Sequence, residues 1–277
     1  MATSGLVTEF VTLPLRHDVS AHLAKTVLFK TAAALLAQPG CLRVRQSRDL
    51  DASPASTSPR LVRISVDWAS LAAHRAFAGG NPAFADFRRE LSAIVDGAPP
   101  TPYHVEWALA DGDGYALGVL DGRVVQAGQA KGEEDDDEEA EGKDDVDGAH
   151  VTEILHAYFP PDVAAPQRAA AQARARAFLD EVPRFAGDLA GGGAAVLGWT
   201  VPGDEAAVAP EGGAEPPGGD GGNRALVLAI GWRSVDAHLR ARDTDGFRGA
   251  IGLLRGMEGL RGMKVWHVRN TAIVASL

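Results

Sequence analysis

Apolar and polar residues alternate along LVRISVDW, which occupies Leu61–Trp68. This period of two predicts a strand with one buried face. A second run, ALVLAIGW at Ala225–Trp232, is apolar almost throughout, as expected of a strand that is covered on both faces. Each run continues into the motif Trp-x-Ser-x-x-Ala-His, once at Trp68–His74 and once at Trp232–His238. The chain therefore contains an internal repeat.

Helical periodicity separates the predicted strands in both halves of the chain. Apolar residues recur at three- and four-residue spacing, which is typical of a helix with one buried face. Helices are predicted over 20–37 and from 70 to about 95, broken at 79–82, and then over 166–185 and from 234 to about 254. Extended runs predict the other strands at 8–15, 41–47 and 103–109 in the first half, and at 152–159, 194–201 and 264–270 in the second.

Each half therefore reads strand-helix-strand-strand-helix-strand, the ferredoxin-like βαββαβ unit. Both helices of such a unit lie on one face of its sheet, so the other face needs a cover, and a second copy of the sheet supplies one. We predict an α+β chain in which two ferredoxin-like repeats, 1–130 and 151–277, form an intramolecular dimeric α/β barrel. The second repeat carries a Gly/Pro-rich insertion at 202–223. Asp121-Gly122 predicts a hairpin turn in the first repeat.

The net charge of −10 comes almost entirely from an acidic segment at 131–150. Such a run repels itself and has little to bury, so it predicts a disordered linker between the repeats. Binding of a basic partner or of calcium is the alternative, although the spacing does not match a calcium-binding loop. No basic patch is present that would favour binding of nucleic acid.

The single cysteine, Cys41, excludes an intramolecular disulfide. The sequence shows neither a secretory signal nor a run long enough to span a membrane, so the expected location is cytoplasmic.

The segments PGCLRVRQSRD, before a strand, and WASLAAHRAF, at a strand-to-helix corner, add a family resemblance. With the two βαββαβ repeats, they resemble antibiotic-biosynthesis-monooxygenase-like (ABM-like) members of the dimeric α/β-barrel superfamily, in particular tandem two-repeat versions from fungi. The resemblance implies enzymes that oxidise aromatic compounds such as anthrones and quinols, commonly without metal or flavin. Relatives that degrade haem make haem, as a substrate or ligand, a minor alternative. The expected partner is therefore a small aromatic molecule, with no cofactor.

The repeated motif supplies the first candidate site residues. If Ser70 and Ser234 cap their helices, His74 and His238 fall in the first or second turn, where the helix dipole keeps imidazole neutral and able to accept a proton. The strand at 152–159 adds His156 and Tyr158, which lie on one face of the strand because they are two residues apart. The candidate catalytic residues are His238 and His156. The candidate substrate-binding residues are Trp232, Tyr158, Trp68 and His74, and no metal ligand set is predicted.

A purely architectural role is the main alternative for the motif, because strand-end tryptophans often anchor a core and capping serines satisfy helix N–H groups. Two functions therefore stay open: a cofactor-independent monooxygenase, or a non-catalytic, stress-related barrel that binds a ligand or a protein. An enclosed cavity lined by His156, Tyr158 and His238 would favour the enzyme, and a filled interior would favour the binding protein. His104 and His267 are interpreted as packing or surface residues. The barrel is expected to be a monomer or a homodimer.

Overall fold

The computed structural model describes residues 5–50, 61–97, 102–109, 116–126, 151–208 and 222–274. The acidic segment and most of the Gly/Pro-rich insertion lie outside the described residues, so the linker and the exact repeat boundaries remain predictions. None of the helices in the described part combines the length and the apolarity of a membrane-spanning segment.

The first repeat contains five strands, three helices and a short 3-10 turn among its described residues. They are β1 (Val7–Pro14), α1 (Ala21–Leu36), β2 (Cys41–Asp49), β3 (Leu61–Trp68), α2 (Leu71–Ala78), α3 (Pro82–Ser92), β4 (Tyr103–Trp107), the 3-10 turn Ala116–Leu120 and β5 (Arg123–Gln126). The second repeat consists of β6 (Val151–Phe159), α4 (Ala165–Ala186), the 3-10 turn Gly187–Leu189, β7 (Ala190–Thr200), β8 (Arg224–Trp232), α5 (Val235–Arg242), α6 (Asp245–Arg255) and β9 (Gly262–Val274).

The two capping serines of the motif have the predicted role. The Ser70 hydroxyl accepts a hydrogen bond from the backbone N–H of Ala73 at 3.2 Å, and the Ser234 hydroxyl accepts one from Ala237 at 3.0 Å. Each bond satisfies one of the N–H groups that the first helical turn leaves without a partner. Both motifs therefore end a strand and begin a helix in the same way.

Eight strands close into one antiparallel barrel. The strand order is β2-β3-β1-β4 in the first repeat and β7-β8-β6-β9 in the second. The fourth strand of each repeat pairs with the second strand of the other, so that β4 pairs with β7 and β9 pairs with β2. The predicted α+β fold, with two ferredoxin-like repeats forming an intramolecular barrel, is thus confirmed.

Three apolar clusters build the core. One lies between the first sheet and its helices, and a second lies between the second sheet and its helices. The third fills the barrel interior, where the 3-10 turn of the first repeat inserts Leu117, Val119 and Leu120 between the sheets. The barrel is therefore a packed core rather than an open channel.

Three details of the secondary structure differ from the sequence-based prediction. The predicted hairpin at Asp121-Gly122 was wrong, because the apolar residues before it form the buried 3-10 turn and β5 after it pairs in parallel with the end of β9. The helix predicted from 234 to about 254 is two helices, since the Thr244 hydroxyl caps a new helix by accepting from Phe247 at 3.1 Å. Strand β9 extends four residues past 270, where tertiary pairing with β2 and β5 continues it.

Candidate functional site

The motif of the second repeat belongs to a buried quartet of side chains, Glu153, Trp232, His238 and His267, here called the second quartet. The indole N–H of Trp232 donates to Glu153 Oε2 at 2.6 Å. His238 stacks on the indole at 4.8 Å between ring centroids, and its Nδ1 lies 2.7 Å from His267 Nε2. Its other nitrogen lies 3.5 Å from Glu153 Oε2. The motif histidine is therefore held between a carboxylate and another imidazole.

The first repeat contains the same arrangement, here called the first quartet: Glu9, Trp68, His74 and His104. Trp68 donates to Glu9 Oε2 at 3.0 Å, and His74 Nε2 lies 3.4 Å from Glu9 Oε1. His74 Nδ1 lies 2.9 Å from His104 Nε2. The repeat of the motif is therefore a repeat of a whole cluster, not only of a strand end.

One carboxylate of the second repeat extends the first quartet. Asp204 Oδ2 lies 2.9 Å from His104 Nδ1 and accepts the backbone N–H of His104 at 2.7 Å. The backbone pairing beside it is also repeated, because Val201 donates to His104 O at 2.9 Å as Leu50 donates to His267 O at 3.0 Å. By this register the counterpart of Asp204 is residue 53, which lies outside the described residues.

Burial keeps the motif histidines neutral. It lowers the pKa of His238 to about 3, with the nearby His267 and Arg242 acting in the same direction. Burial also lowers the pKa of His74, although the negative charge of Glu9 opposes this shift. Removing a charged imidazolium from water is unfavourable, which is the dominant cause in both cases. Neutral imidazole was the expected state, but burial rather than the helix dipole is its main cause.

His156 and Tyr158 lie on the other face of the sheet, inside the barrel. The Tyr103 hydroxyl of the first repeat lies 3.1 Å from His156 Nε2, so the two repeats meet at this pair. The His156 ring contacts Trp266 edge-on at 4.6 Å and Tyr158 at 5.8 Å. Burial lowers its pKa to about 3, and the positive charges of Arg63 and Lys264 add to the effect.

An apolar cavity in the barrel interior is lined by Tyr103, the partner of His156. Its volume of about 20 Å³ has room for one or two water molecules. Its aromatic walls are Phe10, Tyr103 and Trp266, the first two of which stack at 5.4 Å. Arg63 also lines it, with the guanidinium carbon 5.3 Å from the centre of the Trp266 ring. The remaining lining residues are Val11, Thr12, Ser47, Ile64, Ser65, Leu120, Ile154, Val268 and Asn270.

The structure separates the candidate residues into two groups. Tyr158 belongs to the interior cluster, whereas Trp232 belongs to the cluster under the helices. Alternation along β6 explains this, because Glu153 and His156 have opposite parity and so point to opposite faces. A single cavity lined by His156, Tyr158 and His238 is therefore not formed.

Sequence reasoning missed the partners of the motif histidines. His104 and His267 were interpreted as packing or surface residues, but both are buried and hydrogen-bonded to the motif. Two signals were present in the sequence. A Thr-Glu pair opens each repeat, and a histidine follows each motif histidine after 30 and 29 residues.

No protein-family profile and no curated protein sequence matches this chain. Known structures do. A "putative monooxygenase" from Fusobacterium nucleatum subsp. nucleatum aligns over 96% of this chain and 93% of its own, with a TM-score of 0.53 and 11% identity. An anthrone oxidase-like protein aligns over 98% and 94%, with a TM-score of 0.52 and 12% identity. A second "putative monooxygenase", from Lactobacillus acidophilus, covers 98% and 96%, with a TM-score of 0.50 and 9% identity.

Fold and cluster together define a class of protein: a tandem α/β barrel with one buried Glu-Trp-His-His quartet in each repeat. The matches extend over nearly the whole of both chains and show that this chain shares the fold of these proteins.

Proposed function

We propose that this protein is a cofactor-independent monooxygenase that oxidises an aromatic compound with an acidic C–H or phenolic group inside the barrel. One observation carries the proposal: an aromatic cavity is lined by Tyr103, whose hydroxyl lies 3.1 Å from His156, and by a cationic side chain, Arg63. Aromatic walls, a hydrogen-bonding pair and a positive charge are what binding and stabilising a substrate anion require.

The charges around the cavity suggest how each residue acts. Arg63 and Lys264 disfavour an imidazolium at His156, and the same positive field favours a phenolate or carbanion in the cavity. With a pKa of about 3, His156 is a weak base at neutral pH. We therefore assign it the role of orienting the Tyr103 hydroxyl, and we assign stabilisation of the anion to Arg63. His238 lies on the other face of the sheet and has no contact with substrate in this proposal.

The reaction needs no reductant beyond the substrate. For an anthrone-type substrate, one methylene group and one molecule of dioxygen give one ketone and one molecule of water. One oxygen atom enters the product as the new carbonyl, and the other leaves as water with the two methylene hydrogens. The substrate anion supplies the electrons, so the protein contributes binding, anion stabilisation and exclusion of water. An aromatic substrate is far larger than the cavity of about 20 Å³, so side chains such as Phe10 must move on binding.

The test is oxygen uptake and absorbance during incubation with a hydroxyanthrone, a naphthohydroquinone or haemin under air, with EDTA present. We expect turnover of an aromatic substrate, and a loss of at least about tenfold in kcat/KM for Arg63→Met and for Tyr103→Phe, because each removes a group beside the anion. The exposed His22→Ala is the matched control and should leave the rate unchanged. Equal rates in all variants would reject this site, and no uptake with any substrate would reject the activity.

A non-catalytic, ligand- or protein-binding barrel is the second candidate, and the small volume of the cavity favours it. In that case the aromatic side chains serve as core or bind a ligand without oxidising it. The two candidates differ in oxygen uptake: a non-catalytic barrel should consume no oxygen when the same aromatic compounds are added, whether or not they quench tryptophan fluorescence. Because the barrel closes within one chain, we expect the monomer to be sufficient for either function.

A further inference from the structure

The side chains of the first quartet and its neighbouring carboxylate form a continuous line of polar contacts. The line runs from Asp204 to His104, from His104 to His74 and from His74 to Glu9, with heavy-atom distances of 2.9, 2.9 and 3.4 Å. His74 and His104 contribute imidazole nitrogens to this line of contacts, and Glu9 and Asp204 contribute carboxylate oxygens. Imidazole nitrogens and carboxylate oxygens are common protein ligands of divalent metal ions.

The donor atoms are those of a divalent transition-metal site. Glu9, His74 and His104 each offer one ligand atom, and the three atoms lie within 4.8 Å of one another. Two ligand nitrogens on a tetrahedral zinc ion, at about 2.1 Å each, would lie about 3.4 Å apart. Nδ1 of His74 lies 2.9 Å from Nε2 of His104, and Glu9 Oε1 faces Nε2 of the same His74 ring at 3.4 Å. Binding of one ion by all three residues therefore requires that the His74 ring turns and that the side chains separate slightly. Imidazole and carboxylate ligands suit zinc and its neighbours in the first transition row.

The surrounding residues orient these ligands from behind. Asp204 contacts Nδ1 of His104 and thereby directs Nε2 into the cluster. The indole of Trp68 holds Oε2 of Glu9, which leaves Oε1 facing His74. A carboxylate behind a ligating histidine and a hydrogen bond to a ligating carboxylate are the outer contacts typical of metal sites.

The second quartet provides a built-in comparison. Its His238 and Glu153 side chains are 3% and 5% exposed, against 10% and 13% for His74 and Glu9. An ion can therefore reach the first quartet more easily, and there Asp204 supplies a second negative charge. We propose that Glu9, His74 and His104 bind one divalent transition-metal ion, with Zn²⁺ as the best match, and that Asp204 positions His104 for it. This site lies outside the barrel cavity and does not depend on the proposed oxygenase activity.

The test uses the full chain, without a histidine tag, after treatment with EDTA and buffer exchange. Zn²⁺ is titrated by calorimetry, and Co²⁺ is added as a spectroscopic probe whose visible absorption reports its ligands. We expect one equivalent per chain. Asp204→Asn should weaken binding by about 10- to 100-fold, and loss of a ligand in His104→Ala should weaken it further.

The isosteric pair Glu9→Gln and Glu153→Gln supplies the matched control, because both positions occupy the same place in their repeats. Glu9→Gln should remove the bound equivalent and the Co²⁺ absorption, whereas Glu153→Gln should retain both. Circular dichroism and urea unfolding establish that each variant is folded. Absence of binding to the wild type, or binding that survives both Glu9→Gln and His104→Ala, would overturn the proposal.

Discussion

Arg45 offers the most demanding test of the packing inside the barrel, because its side chain is 0% exposed and its guanidinium is enclosed by acids. Two of its nitrogens donate to Asp67 at 2.9 and 2.7 Å, and Nε donates to Asp121 at 2.7 Å. The network extends to Thr8, whose hydroxyl donates to Asp67 at 2.7 Å. Arg45 on β2 thereby joins β3 to the residues that precede β5.

Arg45→Val should therefore be strongly destabilising. The substitution leaves the Asp67 carboxylate buried without its cation, and removing one partner of a buried ion pair costs about 3–5 kcal/mol. With an m-value of about 3 kcal/mol/M, the urea midpoint should fall by about 1–1.7 M. The matched control is Arg184→Val, which removes the exposed pair with Glu181 and should cost no more than about 1 kcal/mol.

The second repeat indicates how to rescue the variant. In the pairing register, Val196 occupies the position of Arg45 and Gly231 that of Asp67, so the second repeat dispenses with the ion pair. Removing both charges, as in Arg45→Val with Asp67→Ala, should recover at least half of the lost stability, because no uncompensated carboxylate remains at that position. A single-variant cost as small as that of Arg184→Val, or a double variant no better than the single one, would refute this reasoning.

Three further predictions concern other parts of the barrel. Gly198→Ala, where β7 pairs with β4, should lower the thermal unfolding midpoint, because the new Cβ would lie 2.4 Å from Glu106 O. In Gly249→Ala, on helix α6, the new Cβ meets nothing within 4 Å, so this control should stabilise the protein by about 0.5–1 kcal/mol. An equal effect of the two substitutions would contradict the prediction. Burial is the main cause that raises the pKa of the Cys41 thiol to about 12. The thiol should therefore react with iodoacetamide at pH 8 only after the protein unfolds, and rapid labelling of the native protein would contradict this prediction. The pKa of His156 is about 3 in the folded protein and 6.5 in the unfolded chain, so between these pH values the unfolded state binds more protons and the free energy of unfolding should rise with pH. His156→Gln should lower the slope of unfolding free energy against pH by about 1.4 kcal/mol per pH unit. An unchanged slope, measured by urea unfolding at several pH values, would rule this out.

The architecture could be predicted from the sequence because the two repeats carry the same local signals. Alternation in the strand ending at Trp68, the capping Ser70 and Ser234, and the duplicated motif each depend on residues close together in the chain. The parts that were missed depend on distant residues. Strand β9 extends past 270 because β2 and β5 pair with it there, and no local pattern contains that information.

The candidate site could likewise be predicted only where residues close together in the sequence determine it. Parity along β6 correctly grouped His156 with Tyr158, but only the closed barrel brings Tyr103 of the other repeat to within 3.1 Å of His156. Likewise Glu9, His74 and His104 are separated by 65 and 30 residues, a spacing that no metal-binding motif describes. They meet because β1 pairs with β4, which sets Glu9 opposite His104, and because the start of α2 brings His74 beside both.

Fusion of the two repeats explains why the barrel holds two different halves. In a symmetric homodimer every interior residue occurs twice, so a charged residue placed in one half of the barrel is also present in the other half. In this chain Arg45 and Asp67 form an ion pair where the second repeat has Val196 and Gly231. The cavity follows the same rule, because Tyr103 from one repeat and Trp266 from the other form its walls. An asymmetric chamber, with separate clusters outside it, is thus an arrangement that a covalent tandem permits and a symmetric dimer of identical chains does not.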